Sequence, residues 1–412
     1  MIQTLKKSIN WLPYNRNLIF LTLTAFLVGV YSSVFRVIWQ PFALSLGASI
    51  TFIGVLGSIG TLDGGFFTML IQPLGGWLGD RIGRKSVLYI SSGIIILSFM
   101  FLLLAGAFHI IWLLIPAVGL IGLSAINRPS RSAMVSESVE ETRKGTAFSI
   151  VSIAVVFPGI ITAILGGALY ERFGYFWIFV VSILLECLVV GLVFKGIRET
   201  LQLRTRDFEK LKISKVLIGF FSPNKDLLYI YLFNVCDGIA WSITPTILYS
   251  MLIERFNYSI TQLGILTSVL FLSWTIFQLP IGKIMDKIGA RKMLIVCEFL
   301  GIPLAFIWVL QPSFSVFVLS QVLFGLTSAS FVPSFATLLS NHVPSSHLAQ
   351  EFGKAAGFRG LISFSMPALG GFLYSKWGFA APPIATLLFS FISLLVVLLL
   401  VKENKVLSSN SI

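Results

Sequence analysis

The chain has 412 residues, of which 56% are hydrophobic and only 11% are charged, and its net charge is +13. Soluble domains carry about 25% charged residues, so the composition excludes a soluble globular protein and indicates one that folds within lipid. The positive charge does not indicate nucleic-acid binding, because the basic residues lie in short loops between apolar runs and form no basic domain. We therefore expect the lipid bilayer as a partner and no nucleic acid.

The apolar runs are long enough to cross a membrane many times. A spanning helix needs about 20 apolar residues, and the first run is too long for the apolar region of a signal peptide. The sequence therefore predicts an all-α membrane protein of twelve helices. These segments 1 to 12 are expected at residues 18–44, 50–75, 85–107, 110–134, 144–170, 174–195, 226–251, 260–284, 292–310, 314–340, 352–374 and 378–401.

Two stretches of the first half return in the second half. The polar turn at 72–85 is echoed at 278–292, and 166–174 is echoed at 370–378. Such repeats predict two pseudo-symmetric bundles of six helices, 1–195 and 226–412, joined by a linker at 196–225, with a substrate site between the halves. The residues that recur at a constant spacing in the first pair are Gly76 and Gly282, Asp80 and Asp286, and Gly83 and Gly289.

The basic residues are divided unequally between the two membrane faces. With the N-terminus inside, the outer loops contain only Arg172, Arg255 and Lys376, and the inner loops, the linker and the termini contain the other basic residues that lie outside the helices. Cytoplasmic loops of membrane proteins carry such an excess of lysine and arginine. The sequence therefore predicts a multi-pass protein of the cell membrane, plasma or inner, with both termini in the cytoplasm.

Several charged residues lie inside the predicted helices. A charge at mid-helix costs ~2.5–3.5 kcal/mol on insertion scales, so it should face a cavity, form a pair or titrate. Arg36 and Asp237 lie near mid-depth, and Asp63 lies among glycines that let a neighbouring helix approach and desolvate its carboxylate. We expect Asp63 or Asp237 to carry a coupling proton. The alternative is a permanent ion pair of Asp63 with Arg36 or Arg359.

Other candidates for the substrate site are basic or aromatic. Arg128 and Arg131 share one helix face, and they either bind an anionic substrate or belong to the inner gate. Trp39, Trp241 and Trp274 could line a pocket for a flat lipophilic ligand, with the carboxylates attracting a cation through charge and ring faces. The alternative for these rings is ordinary core packing or contact with lipid.

The turn after segment 2 resembles a known signature. Its sequence Gly76-x-x-x-Asp80-Arg81-x-Gly83-Arg84-Lys85 matches the loop 2–3 signature of the major facilitator superfamily, and the stretch 129–148 is similar to the passage from helix 4 to helix 5 in drug-exporter-like members. The resemblance implies a secondary transporter that works by alternating access. Segments 1, 4, 7 and 10 would line its cavity. Segments 2, 5, 8 and 11 would form the moving contact between the halves, which makes Arg359 of segment 11 a candidate for that contact.

The resemblance also implies a conformational latch at the signature. Asp80 would approach the start of segment 11, and Arg84 would pair with Glu137 at the end of segment 4, so that the two contacts hold the outward-open state. In the second copy Ala290 stands where the first has Arg84, so the latch around Gly282, Asp286 and Gly289 should be weaker.

The resemblance places two further carboxylates away from the cavity. Glu186 and Glu298 lie in segments 6 and 9, which in the family pack outside the cavity. A structural role is therefore expected for both glutamates.

These observations lead to three hypotheses about function. The first is a proton-coupled exporter of small lipophilic or cationic compounds, and the second is an uptake symporter or an exchanger of organic anions or sugars that uses Arg36 and Arg128. The third, of another class, is a receptor or scaffold that kept the fold without transporting. The sequence shows no phosphate-binding loop, metal-ligand cluster or nucleophile elbow, so we expect no cofactor, no metal and no enzymatic activity. We also expect a monomer.

Overall fold

The computed structural model describes residues 15–61, 64–140, 144–200, 227–343 and 348–402, and within these ranges every regular element is a helix. Asp63 and most of the predicted linker lie outside the described residues, and only the backbone is described at Asp286.

The helices follow the order of the predicted segments. The N-terminal half contains α1 (Arg16–Ser45), α2 (Ile50–Ile59), α3 (Phe66–Ile82), α4 (Arg84–Phe108), a 3-10 turn (Ile111–Leu113), α5 (Leu114–Ser124), α6 (Asn127–Glu137), α7 (Lys144–Val156), α8 (Gly159–Phe173) and α9 (Tyr175–Gly196). The C-terminal half contains α10 (Leu228–Ile243), α11 (Leu248–Phe256), α12 (Ile260–Ile288), α13 (Ala290–Val309), α14 (Phe314–Ser340), α15 (Leu348–Ser363), α16 (Met366–Trp377) and α17 (Ala381–Leu399).

Nine apolar spans of the described chain are long enough to cross a membrane. The remaining segments, 2, 7 and 11, are each divided into two shorter helices, so the prediction of an all-α membrane protein built from twelve segments is confirmed. The structure therefore corrects the continuous helices predicted for these three segments, and it also interrupts segment 4 between Ser124 and Asn127 and segment 5 between Val156 and Gly159. The break in segment 2 contains Gly65 with φ +107°, and the break in segment 7 contains Pro245, which has no N–H to continue a helix.

The repeated glycines of the two polar turns have the same conformation. Gly83 separates α3 from α4 with φ 95°, and Gly289 separates α12 from α13 with φ 92°. A side chain is disfavoured at such positive φ, which explains glycine at both positions. We call the end of the bundle that contains Gly83 and Glu137 the motif end, and the end that contains Ser49 and Ser259 the far end.

The two halves pack directly against each other towards the far end. One apolar core there combines Phe42 of α1 with Met251 of α11, whereas the other apolar cores of the described residues each draw on a single half. Repeated glycines lie at close contacts between the halves. A Cβ at Gly167 would lie 2.6 Å from the carbonyl oxygen of Ile260, and a Cβ at Gly371 would lie 2.8 Å from that of Ile50. The conformation is therefore closed at the far end.

Candidate functional site

A cavity of about 760 Å³ lies between the two halves. Its walls include the breaks in segments 2, 7 and 11, in agreement with the rule that irregular backbone at membrane depth lines a cavity or is buried in protein. We call it the central cavity. The predicted site residues that line it are Arg36, Trp39, Arg128, Trp241, Trp274 and Arg359.

Gln40 links the halves at the side of the cavity nearer the far end. Its amide nitrogen donates to the Thr246 carbonyl oxygen at 3.0 Å, and its amide oxygen accepts from the Ser250 N–H at 2.7 Å. Thr246 lies in the break of segment 7, where the backbone groups have lost helical partners. Gln40 was not among the site residues predicted from the sequence. The available signal was an uncharged polar side chain beside Pro41, four residues before the end of the first apolar run.

Aromatic rings form much of the cavity wall. Trp241 stacks on Phe324 with ring centroids 5.5 Å apart and an interplanar angle of 21°. The guanidinium carbon of Arg36 lies 5.8 Å from the centroid of Phe271, and that of Arg359 lies 5.2 Å from the centroid of Phe331. Such walls offer flat apolar contact and positive charge together.

The charged side chains on the described wall of the cavity are Arg36, Arg128 and Arg359, and no described carboxylate lines it. Asp63 lies outside the described residues, although Thr61 and Gly64 on either side of it line the cavity. The predicted role of Asp63 in proton coupling therefore stays a prediction.

Asp237 lies behind the cavity wall in α10 and forms an ion pair with Arg359 of α15. Only 4% of the Asp237 side chain is exposed, compared with 29% for Arg359. The same guanidinium nitrogen donates to the carbonyl oxygen of Asn234 at 2.9 Å and to its side-chain oxygen at 3.1 Å. These polar contacts of Arg359 are within the C-terminal half, whereas the resemblance had made Arg359 a candidate for the contact between the halves.

Arg131 lies away from the central cavity. It lines a smaller cavity of about 290 Å³ within the N-terminal half, together with Tyr31, Ser92 and Glu186. Its half-buried guanidinium donates to the Thr24 hydroxyl at 3.1 Å and is close enough to Glu186 for charge interaction. This half therefore balances its buried glutamate with a neighbouring arginine.

The structure brings together the charges of the signature at the motif end. Arg84 forms an ion pair with Glu137, as the resemblance implied, and lies 3.7 Å from Asp80. Arg81 stacks over Trp77 at 4.1 Å. The Asp80 side chain is 63% exposed, so in this conformation it is accessible to a partner that arrives from the other half.

Neutralising Asp80 should prevent the latch from forming. We expect Asp80→Asn to reduce transport by roughly tenfold or more, because a contact that favours one of two conformations is worth about 1–3 kcal/mol. Asp80→Glu keeps the charge and should retain most of the activity. Transport measured in vesicles, normalised to folded protein in the membrane, checks this. Full activity of Asp80→Asn would count against the latch.

Comparisons with known proteins agree with this architecture. The chain matches the family model described as Major Facilitator Superfamily twice, at residues 21–236 and 230–412. It is 26% identical over 393 residues to "Multidrug resistance protein MdtG" of Serratia proteamaculans, covering 91% of this chain and 90% of the relative. The protein of the same name from Escherichia fergusonii is 26% identical over 392 residues, covering 91% of each chain.

Solved structures share the fold at low sequence identity. The nucleoside transporter NupG superimposes with a TM-score of 0.73 and 16% identity, covering 92% of this chain and 98% of its own. The human organic anion transporter MFSD10 (TETRAN) superimposes with a TM-score of 0.67 and 16% identity, covering 93% of this chain and 99% of its own.

Proposed function

This chain belongs to the Major Facilitator Superfamily and is a multi-pass secondary transporter, and from that premise we propose that it exports small lipophilic compounds in exchange for protons. The relatives named as multidrug resistance proteins support export. The observation that carries the proposal is the central cavity, which has room for an organic molecule and is lined by aromatic rings.

The proposal includes an orientation. The motif end would face the cytoplasm of a bacterial cell, since the basic residues outside the helices gather at that end. Both termini would then be cytoplasmic, and the protein would act as a monomer in the inner membrane. The far end would face outwards, so the described conformation would be the one that accepts substrate from inside.

A second candidate substrate class is organic anions. Arg36, Arg128 and Arg359 place positive charge on the cavity wall. Even if Asp63 and Asp237 are both counted as anions, three arginines accompany two carboxylates when the buried Glu298 is counted as protonated. This balance favours a negatively charged group on the substrate, whereas the first hypothesis favoured cations.

A transport assay distinguishes these classes. Purified protein in liposomes with an acidic interior and an internal pH dye receives ethidium as a lipophilic cation, p-aminohippurate as an aromatic anion, or glucose. Proton release from the interior on adding ethidium supports cation export, and proton movement only with p-aminohippurate supports the anion class. A response to glucose alone would contradict both classes. If none of the three probes moves protons, the proposed proton coupling is wrong for these classes.

The cavity wall makes a separate prediction. Trp241→Leu should raise the half-saturating concentration of a transported probe roughly 2- to 10-fold, because a ring contact contributes about 0.5–1.5 kcal/mol beyond its buried area. Trp177→Leu is the matched control, since that ring is 61% exposed on the outside of the bundle. Equal effects of the two substitutions would show that Trp241 does not contact the substrate.

A further inference from the structure

Glu298 is a carboxyl group buried within the C-terminal half. It lies on α13 and is only 2% exposed. Neither carboxyl oxygen has a hydrogen bond of normal geometry to any described residue. A buried carboxylate without partners is strongly disfavoured, so this side chain requires either a counter-charge or a proton.

Among the described residues, the groups around Glu298 do not supply a free counter-charge. Asp237 of α10 lies next to it, and Ser393 of α17 is the neighbouring hydroxyl. Arg359 is the nearby cation, and it is already paired with Asp237. The remaining titratable neighbours are the thiols of Cys236 and Cys297, and both are buried. Two carboxyl groups therefore share one arginine.

We propose that Glu298 binds the transported proton, and that the Asp237–Arg359 pair connects it with the central cavity. This inference rests on the proton coupling of the proposed function. The proton resides on a Glu298 oxygen while Arg359 neutralises Asp237. It leaves by way of Asp237 to water in the cavity, and Glu298 then carries the negative charge within the same cluster.

Helices α10 and α13 connect the Trp241 part of the cavity wall with Glu298. Asp237 and Trp241 are one turn apart on α10, and Glu298 and Gly301 are one turn apart on α13. Asp237 lies beside Glu298, and a Cβ at Gly301 would lie 2.8 Å from the Trp241 ring. A ligand that displaces Trp241 or perturbs Arg359 therefore changes the packing and the charge beside Glu298. This arrangement couples occupancy of the cavity to protonation.

The N-terminal half provides an internal comparison. Glu186 is also 2% exposed, but it lies near Arg131, which is not engaged by a second carboxylate among the described residues. Its charge is therefore balanced. The expected difference between the two glutamates does not come from burial, which is equal, but from the number of carboxyl groups that share the nearby arginine.

The test compares Glu298→Gln with Glu186→Gln in liposomes, with whichever of ethidium or p-aminohippurate the wild type moves. We expect Glu298→Gln to reduce proton movement at least tenfold, and to reduce the accumulation of the probe driven by a pH gradient by the same factor. Exchange of labelled for unlabelled probe should continue without a gradient. Glu298→Asp should restore part of the coupling, and Glu186→Gln should remain coupled.

Infrared difference spectroscopy gives a readout that does not depend on transport. Wild-type protein should show a protonated carboxyl band at neutral pH that is absent from Glu298→Gln and present in Glu186→Gln. Coupled transport by Glu298→Gln, or an unchanged carboxyl band, would overturn the assignment and leave the proposed function intact. A wild type that moves no protons with either probe would overturn the proposed function and the assignment together.

Discussion

Arg359→Gln is expected to lose both thermal stability and transport. The substitution leaves Asp237 as a buried carboxylate without its partner, beside a second carboxyl group at Glu298. Removing one member of a buried pair costs ~3–5 kcal/mol, which should lower the midpoint of thermal unfolding in detergent by several degrees.

The double variant Asp237→Asn/Arg359→Gln separates stability from transport. With both charges removed, no unpaired ion remains, and replacing a whole buried pair is often close to neutral for stability. We expect its unfolding midpoint to return near that of the wild type while transport stays low. Arg255→Gln is the matched control, because Arg255 is exposed and its side chain contacts Gln311 outside the cluster. If Arg359→Gln unfolds at the wild-type temperature, the pair does not stabilise the fold.

Gly371→Val is expected to prevent closure at the far end. The new side chain would meet the backbone of Ile50 and Thr51, which cannot move aside as a side-chain tip can. Overpacking of this kind costs about 1–3 kcal/mol, equivalent to a shift of roughly 5- to 150-fold in the balance between the two conformations. Transport should fall accordingly, because each cycle requires closure.

The shift in conformation can be measured by labelling. Ser242 lines the central cavity, so Ser242→Cys should react with a membrane-impermeant maleimide added outside only when the far end is open. We expect faster labelling in the Gly371→Val background than in the wild type. Gly93→Val is the control, since a Cβ at Gly93 would meet nothing within 4 Å. Slow labelling and normal transport in Gly371→Val would show that this contact does not control closure.

The fold was predictable from the sequence because its signals are long and periodic. Twelve apolar runs and two repeated stretches define the halves before any contact is known. The breaks in the helices were less apparent, although Gly65 and Pro245 mark two of them. A rule based on the number of consecutive apolar residues does not show where the chain leaves helical geometry inside the membrane.

The site was predicted in part. The position of Trp241 in segment 7 was sufficient to place it at the cavity, whereas the partner of Arg359 depends on which helices meet across the bundle, and spacing along one helix does not reveal that. Glu298 was assigned a structural role from the position of its segment. Its neighbours Asp237 and Ser393 come from two other helices, so only the folded structure shows that the cluster has more carboxyl groups than cations.

The apolar core shared by the halves at the far end also has a thermal consequence. Opening this end would expose rings and aliphatic groups such as Phe42 and Met251 to water, and exposure of apolar surface raises the heat capacity. The attraction that keeps the far end closed therefore weakens on cooling. The free-energy difference between the two conformations should therefore depend on temperature in a curved, non-linear way. The far-end core makes this difference depend on temperature, and the charged clusters make it depend on pH.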